Sequence, residues 1–192
     1  RRGRTWCGGS GGTGLSELTA ANSQAVRAIR DASPEVIAHQ IDAMFDGISI
    51  DAVKIGMLSR REVSETEAAG LERHGVGRLG VSKLVLDPVM VAKSGDQLLA
   101  PEAVAALRER LVPLATLVTP NLPEAAVLLE EPALTDEAEM AAVAKRLLAL
   151  GSQWVLLKGD RKSTRLNSSH KPISYDVLCS KKTTTSHSST QR

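Results

Sequence analysis

The stretch that decides the fold is Lys-Leu-Val-Leu-Asp-Pro at residues 83–88. A short apolar run there stops at a dipeptide that disfavours any continuation of a strand. Similar runs occur at residues 50–55 (Ile-Asp-Ala-Val-Lys-Ile), 114–119 (Leu-Ala-Thr-Leu-Val-Thr) and 154–157 (Trp-Val-Leu-Leu). Continuous apolar runs of this length predict strands that are buried on both faces, which is typical of parallel sheets.

Amphipathic helices are predicted between these strands. Ser33-Pro34-Glu35 is a helix-start signal, with Ser33 as the cap and Pro34 in the first turn. An apolar stripe follows, made of Val36, Ile37, Ile41, Met44 and Phe45. Further helices are predicted at residues 61–73, 101–111, 123–129 and 136–150. Alternating strands and helices predict an α/β fold in three layers, a parallel sheet with helices on both faces, with ligands beyond the carboxyl ends of the strands.

Composition divides the chain into three parts. Residues 1–14 are basic and then glycine-rich, which predicts an irregular segment. Residues 15–160 carry the alternating pattern and form the predicted domain. Residues 161–192 hold 13 Ser or Thr and lose helical periodicity, which predicts a disordered tail. The string Arg-Lys-Ser-Thr-Arg-Leu-Asn-Ser-Ser-His at 161–170 also resembles translated sequencing-adapter read-through, so we interpret the tail as artefactual.

Charge and cysteine content argue against several classes of partner. The 192 residues have a formal net charge of +2, but residues 1–160 hold 17 Lys+Arg against 21 Asp+Glu, and residues 161–192 hold 7 against 1. The positive excess therefore lies entirely in the tail, and nothing in the body favours nucleic acid or membrane partners. Two distant cysteines and the absence of a long apolar run predict a cytoplasmic protein without a membrane span.

Three strings at the predicted strand ends carry a family resemblance. They are Ile-Asp-Ala-Val-Lys-Ile-Gly-Met-Leu (50–58), Leu-Asp-Pro-Val-Met-Val-Ala-Lys-Ser-Gly-Asp (86–96) and Thr-Pro-Asn-Leu-Pro-Glu-Ala (119–125). In this order they resemble the hydroxymethylpyrimidine/phosphomethylpyrimidine kinases of the ribokinase-like superfamily. The resemblance covers roughly residues 15–159. It implies ATP-dependent phosphorylation of 4-amino-5-hydroxymethyl-2-methylpyrimidine and of its monophosphate in thiamine biosynthesis.

The resemblance also implies roles for individual residues. Asp87 and Glu124 would hold Mg²⁺ directly or through waters, because this ion prefers oxygen ligands and keeps part of its hydration shell. Asn121 and Lys158 would lie against the ATP phosphates, since phosphoryl transfer depends on positioning and on charge neutralisation. The remaining predicted site residues would contact the pyrimidine ring of the substrate: Ala21, Gly56, Met57 and Val89.

Each of these residues also has a purely structural interpretation. Asp87 before a proline can simply end a strand, and Asn121 with Glu124 can simply begin a helix. Lys158 can be a solvated strand end, and Met57 or Val89 can belong to the core. The site hypothesis rests on their occurrence together at strand ends.

Three departures from the family pattern limit the expected activity. The glycine-rich substrate loop that follows the family's first strand is not recognisable, and Ala21 replaces the glutamine that pairs with the pyrimidine edge. The family's Lys-Gly-Gly-His string is broken at Asp160, and no Gly-Thr-Gly-Cys anion hole follows. Cys179 lacks the flanking glycines and is not assigned to that role. We therefore expect a domain incomplete at both ends, with no catalytic base.

Two other functions stay open at this point. A pyridoxal kinase-like vitamin B6 kinase shares the fold, and Ala21 weakens the argument for the pyrimidine. A non-catalytic fragment that binds ligand without turnover is compatible with the missing anion hole. In either case the expected partner is a small molecule, and the resemblance suggests a homodimer.

Overall fold

A computed structural model describes residues 3–4, 10–21, 26–58, 60–77, 83–90, 99–132, 139–159 and 176–180. The strands, in chain order, are β1 (Gly3–Arg4), β2 (Ser10–Gly11), β3 (Glu17–Ala21), β4 (Val26–Asp31), β5 (Ala52–Ile55), β6 (Lys83–Leu86), β7 (Leu117–Val118), β8 (Trp154–Lys158) and β9 (Asp176–Ser180). The helices are α1 (Pro34–Gly47), α2 (Arg61–Arg73), α3 (Pro101–Ala106), α4 (Leu122–Leu129) and α5 (Met140–Ala149). A π turn at Leu107–Leu111 and a 3₁₀ turn at Val112–Leu114 extend α3.

A five-stranded sheet forms the centre of the molecule, in the order β5-β6-β7-β8-β9. The first four strands are parallel, which confirms the predicted α/β class. The fifth, β9, pairs antiparallel with β8, so the sheet is mixed rather than wholly parallel. The helices between these strands supply the connections that parallel neighbours require.

Side chains along the parallel strands alternate between the two faces of the sheet. Burial alternates along β6 and β8, where Leu84, Leu86, Val155 and Leu157 are each fully buried. Side chains of the alternate positions belong to the other, half-buried face. At the carboxyl ends of β6 and β8, the half-buried side chains that follow this alternation are Asp87 and Lys158. The helical layer expected on the second face stays a prediction.

The capping signal predicted for the first helix is confirmed. The Ser33 hydroxyl accepts a hydrogen bond from the Val36 amide at 3.4 Å, and Pro34 occupies the first turn of α1. Of the predicted apolar stripe, Ile37 and Ile41 are buried. Val36 is 49% exposed, so its place in the stripe was wrong. Phe45, near the end of α1, is partly buried and also packs against the core.

Helix α1 packs against α2, and polar contacts support the apolar ones. His74, directly after α2, lies 2.7 Å from Asp42 through Nε2. Its ring stacks on Phe45 with the centroids 4.5 Å apart and the planes 6° from parallel. At Gly70, an added Cβ would lie 2.8 Å from Ile41 Cδ1, so the two helices approach closely there. His74 therefore has a structural role between the helices.

Several elements near the chain ends differ from expectation. Within the segment 1–14, predicted to be irregular, β1 and β2 pair antiparallel. The unpredicted β4 forms a hairpin with β3. The tail was predicted to be disordered, but β9 lies inside it and pairs with all five residues of β8. The remainder of the tail, 161–175 and 181–192, lies outside the described residues.

Within the described residues, no helix is long and apolar enough to cross a membrane.

Candidate active site

Asp87, directly after β6, is the centre of a polar cluster at the carboxyl ends of the strands. Its Oδ1 accepts hydrogen bonds from Lys158 Nζ at 3.0 Å and from the Thr119 hydroxyl at 2.9 Å. Its Oδ2 accepts one from Lys54 Nζ at 3.1 Å. Four neighbouring parallel strands thus each place one side chain in the cluster, since Lys54 lies in β5, Thr119 follows β7 and Lys158 ends β8.

The pKa of Asp87 lies below its ordinary value of 3.8. Partial burial of the carboxylate raises the pKa, but the hydrogen bonds from Lys158, Lys54 and Thr119 together outweigh burial. Because the folded pKa is lower than the unfolded one, the charged form of Asp87 stabilises the fold. That contribution is present above the ordinary pKa and is lost as the pH falls through the folded pKa.

The lowered pKa of Asp87 predicts a pH-dependent effect of Asp87→Asn. We expect the difference in free energy of unfolding between the wild type and this variant to be constant above about pH 5 and to shrink below about pH 4. Urea unfolding at a series of pH values measures it. A difference that stays the same down to about pH 2.5 would contradict the assignment of the charge to Asp87.

Asn121 and Glu124 form a reciprocal capping box at the start of α4. The Asn121 side chain accepts from the Glu124 amide, and Glu124 Oε2 accepts from the Asn121 amide, both at 2.8 Å. Glu124 is only 4% exposed. Burial raises its pKa, which is the largest effect, and the negative charge of Asp87 adds to it. Backbone hydrogen bonds from Asn121 and Met90 and the charge of Lys158 act in the opposite direction without cancelling the rise.

The capping box predicts a measurable loss of stability in Asn121→Ala. Removal of an N-cap side chain costs about 1 kcal/mol, and a buried carboxylate that loses its reciprocal partner adds to this cost. We expect Asn121→Asp to retain most of the stability, because an aspartate can still accept from the Glu124 amide. Chemical denaturation of both variants measures the effect. Equal stability of Asn121→Ala and the wild type would show that the box contributes nothing.

Lys158 and Asn121 are brought together by the backbone. The two residues form an isolated parallel bridge beyond β7, and the Lys158 amide donates to the Pro120 carbonyl at 2.8 Å. The parallel pairing with β8 thus reaches Asn121, three residues after the end of β7, and places the start of α4 beside the end of β8. The predicted phosphate-side residues Asn121 and Lys158 are therefore neighbours.

The oxygen donors of the cluster offer an incomplete set of ligands for Mg²⁺. Within the described part of the chain, no group of three or more His, Cys, Asp or Glu residues is arranged to hold a metal ion. Both Asp87 oxygens already accept from lysine, and the Glu124 carboxylate is held by backbone amides. The carboxylates of Asp87 and Glu124 therefore do not supply all the ligands of a metal ion by themselves. They fit a Mg²⁺ ion that keeps several waters and takes its other ligands from phosphate.

The predicted substrate-side residues are divided between two places. Gly56 and Met57 line a cavity of about 560 Å³, whose other lining includes Gly12, Met44 and Phe45. A Cβ added at Gly56 would meet nothing within 4 Å, so space is open above it. Met57 is also partly buried against the core, in agreement with the alternative that it is a core residue.

Val89 and Ala21 have a different relation to the cavity. Val89 does not line it, but follows Asp87 closely, and its amide donates to the Asp87 carbonyl at 2.8 Å. Ala21 ends β3, and its side chain lies outside the described residues. The predicted contacts of Ala21 and Val89 with substrate stay predictions.

Sequence reasoning missed two members of the cluster. Lys54 is an inner residue of a strand, and Thr119 was treated only as the end of one. A signal for Lys54 was available, because a lysine within an apolar strand must place its ammonium group somewhere polar. In β5 that group reaches Asp87 on the next strand.

The mostly parallel α/β sheet, with polar side chains from four neighbouring strands around Asp87, has the ribokinase-like fold of the solved kinases to which it is similar. The described part of the chain is similar to a crystal structure of phosphomethylpyrimidine kinase from Clostridium difficile, with a TM-score of 0.72 and 36% identity over 86% of this chain and 66% of that one. It is also similar to Bacillus subtilis pyridoxal kinase in complex with ADP, with a TM-score of 0.70 and 31% identity over 88% of this chain and 58% of that one.

The family model described as phosphomethylpyrimidine kinase matches residues 5–192. The chain belongs to this family. It is 47% identical over 149 residues to the hydroxymethylpyrimidine/phosphomethylpyrimidine kinase of Rhizobium meliloti, covering 78% of this chain and 54% of that protein. The Escherichia coli relative of the same name is 43% identical over 145 residues, covering 76% and 53%. The chain thus spans about half the length of the curated relatives that it matches.

Proposed function

We propose that this chain takes part in ATP-dependent phosphorylation of 4-amino-5-hydroxymethyl-2-methylpyrimidine and of its monophosphate, in thiamine biosynthesis. The observation that carries the proposal is the convergence on Asp87 of Lys54, Thr119 and Lys158 from three other strands. Such a cluster offers fixed charges at the edge of the sheet where α/β folds bind ligands. Family membership supports the choice of reaction.

On the nucleotide side, Lys158 and Asn121 would bind and orient the ATP phosphates. Lys158 is held on Asp87, so its ammonium group is positioned before the nucleotide arrives. Asn121 lies at the start of α4, where the helix N-terminus favours negative charge. Asp87 and, through water, Glu124 would hold Mg²⁺, which when bound neutralises phosphate charge.

On the substrate side, Gly56 and Met57 would form a wall of the cavity against the flat pyrimidine. The open space above Gly56 supports this role, because a ring can approach the backbone where no side chain intervenes. Val89, which lies outside this cavity, would contact the ring from beyond the end of β6. Ala21 would face the ring edge without the hydrogen bond that a glutamine supplies.

The proposal is tested by titration calorimetry of the 192-residue chain with Mg²⁺-ATP and with the hydroxymethylpyrimidine, together with an assay of ADP formation. Binding of both ligands with turnover supports a kinase. Binding without turnover supports the ligand-binding alternative, which the absence of a Gly-Thr-Gly-Cys string from the 192 residues favours. If neither ligand binds, both the kinase and the ligand-binding alternative are contradicted.

A vitamin B6 kinase is the second candidate, favoured by the structural similarity to Bacillus subtilis pyridoxal kinase. Pyridoxal added as a competitor in the same titration distinguishes a vitamin B6 kinase from a pyrimidine kinase. Displacement of the pyrimidine by an equal concentration of pyridoxal would favour the B6 substrate. A homodimer and a cytoplasmic location remain expectations from family membership.

A further inference from the structure

Lys54 contacts Asp87 on the side of the carboxylate opposite to Lys158. Its Nζ bonds to Asp87 Oδ2, whereas Lys158 and Thr119 share Oδ1. The two ammonium groups thus occupy different oxygens of one carboxylate. They also come from different directions along the sheet, because β5 lies next to β6 on one side and β8 lies two strands away on the other.

The exposed charges of this cluster favour an anion. Asp87 carries one negative charge against the two positive charges of Lys54 and Lys158. Glu124 is 4% exposed and is held by the amides of Asn121 and Met90. Two further carboxylates, Asp51 and Glu67, line the cavity together with Lys54. The excess of positive charge is therefore confined to the contacts of Asp87, and a phosphate group that reaches Asp87 meets two ammonium groups there.

Lys54 is also free to change partners. Its side chain is 66% exposed, so its ion pair with Asp87 is largely solvated and contributes little to stability. The ammonium group can therefore move from Asp87 to an incoming phosphate oxygen at small cost. Lys158, at 38% exposure, is held more closely.

The position of Lys54 relative to the cavity indicates which phosphate it would meet. Lys54 lines the same cavity as Gly56 and Met57, which follow directly after β5. Lys158 does not line this cavity and lies beside the start of α4. The two lysines therefore divide between the substrate side and the nucleotide side of Asp87.

We propose that Lys54 binds the phosphomonoester group of a substrate that already carries one phosphate. Lys54 would thus be a specificity residue for the second phosphorylation, whereas the unphosphorylated substrate would not need it. This inference rests on the proposed function for the identity of the ring, but its phosphate chemistry rests on the cluster alone.

The test compares Lys54→Ala with Lys54→Arg and with the control Lys83→Ala, which removes an exposed lysine at the amino end of β6. The probes are the hydroxymethylpyrimidine, its monophosphate and inorganic phosphate, each titrated calorimetrically into the full chain. We expect Lys54→Ala to weaken binding of the monophosphate and of inorganic phosphate roughly tenfold or more, since charge-assisted hydrogen bonds are the strong ones. Binding of the unphosphorylated pyrimidine should change less than about twofold. Lys54→Arg should retain most of the phosphate affinity, and Lys83→Ala should behave as the wild type.

Two outcomes would overturn the proposal. One is equal weakening of the phosphorylated and unphosphorylated compounds in Lys54→Ala, which indicates a general structural role. The other is unchanged phosphate affinity in that variant. If inorganic phosphate binds through Lys54 while neither pyrimidine binds, the phosphate site stands and the proposed function fails.

Discussion

Gly77→Ala is expected to destabilise the protein by at least about 3 kcal/mol, or to prevent folding. Gly77 has φ +89°, a conformation that residues with a side chain rarely adopt. A Cβ at this position would lie 2.2 Å from the carbonyl oxygen of Leu114. That oxygen belongs to backbone, which cannot rotate away as a flexible side chain can, so the turn after α2 must shift.

Gly47→Ala is the matched control for this substitution. Gly47 is the last residue of α1, has no positive φ, and an added Cβ there would meet nothing within 4 Å. We expect its free energy of unfolding to stay within about 0.5 kcal/mol of the wild type. Urea denaturation of both variants gives the comparison. Similar stabilities for Gly77→Ala and Gly47→Ala would contradict the close approach between the α2 turn and Leu114.

Lys158→Ala is expected to weaken Mg²⁺-ATP binding by roughly one to two orders of magnitude. The substitution removes the ammonium group that Asp87 holds at 3.0 Å, and with it the charge-assisted contact to phosphate that we propose for Lys158. Asp87 would keep Lys54 and Thr119, so the fold should lose little stability. Calorimetric titration measures the affinity, and thermal unfolding checks that the variant is folded.

The control for Lys158→Ala is again Lys83→Ala, which changes the net charge equally at the other end of the sheet. The nucleotide affinity of this control should stay within about twofold of the wild type. An equal loss of affinity in both variants would show that overall charge, not the position of Lys158, governs binding.

The sheet was predictable because buried parallel strands carry a strong local signal. Lys83–Leu86 and Trp154–Lys158 are short apolar runs with clear ends, and both are strands at or near the predicted positions. The predicted strand at 114–119 is observed only at Leu117–Val118, because the preceding residues continue the turns that follow α3. Local pattern cannot decide between a turn and a strand where both are apolar.

The antiparallel strand β9 was not predictable from composition. Its segment is rich in Ser and basic residues around a single apolar cluster, Val-Leu-Cys at 177–179. The pairing partner, β8, lies far away in sequence, with Val155 opposite Cys179 and Leu156 opposite Leu178. Such pairing depends on a free sheet edge, which no local window of sequence reveals.

The site was predictable only in part, because some of its contacts depend on how distant strands pair. Asp87, Asn121, Glu124 and Lys158 all stand at element ends, where the strand-end rule looks for ligand residues. Hydrogen bonds join Asp87 to Lys158 and Asn121 to Glu124, and a backbone bridge places Asn121 beside Lys158. Their contacts with ligand stay predictions. Lys54 was missed because its part in the cluster depends on the register of β5 with β6.

The most direct test of the account is the location of the nucleotide on the chain. We propose NMR of the ¹⁵N-labelled protein with Mg²⁺ and a non-hydrolysable ATP analogue. If the nucleotide binds at the carboxyl ends of the strands, the largest amide shifts occur after β6 at Asp87 and Val89, around Thr119 and Asn121, and at Lys158, with α1 and α2 little changed. Shifts confined to α1 and α2, or no shifts at saturating nucleotide, would contradict the site at the carboxyl ends of the strands.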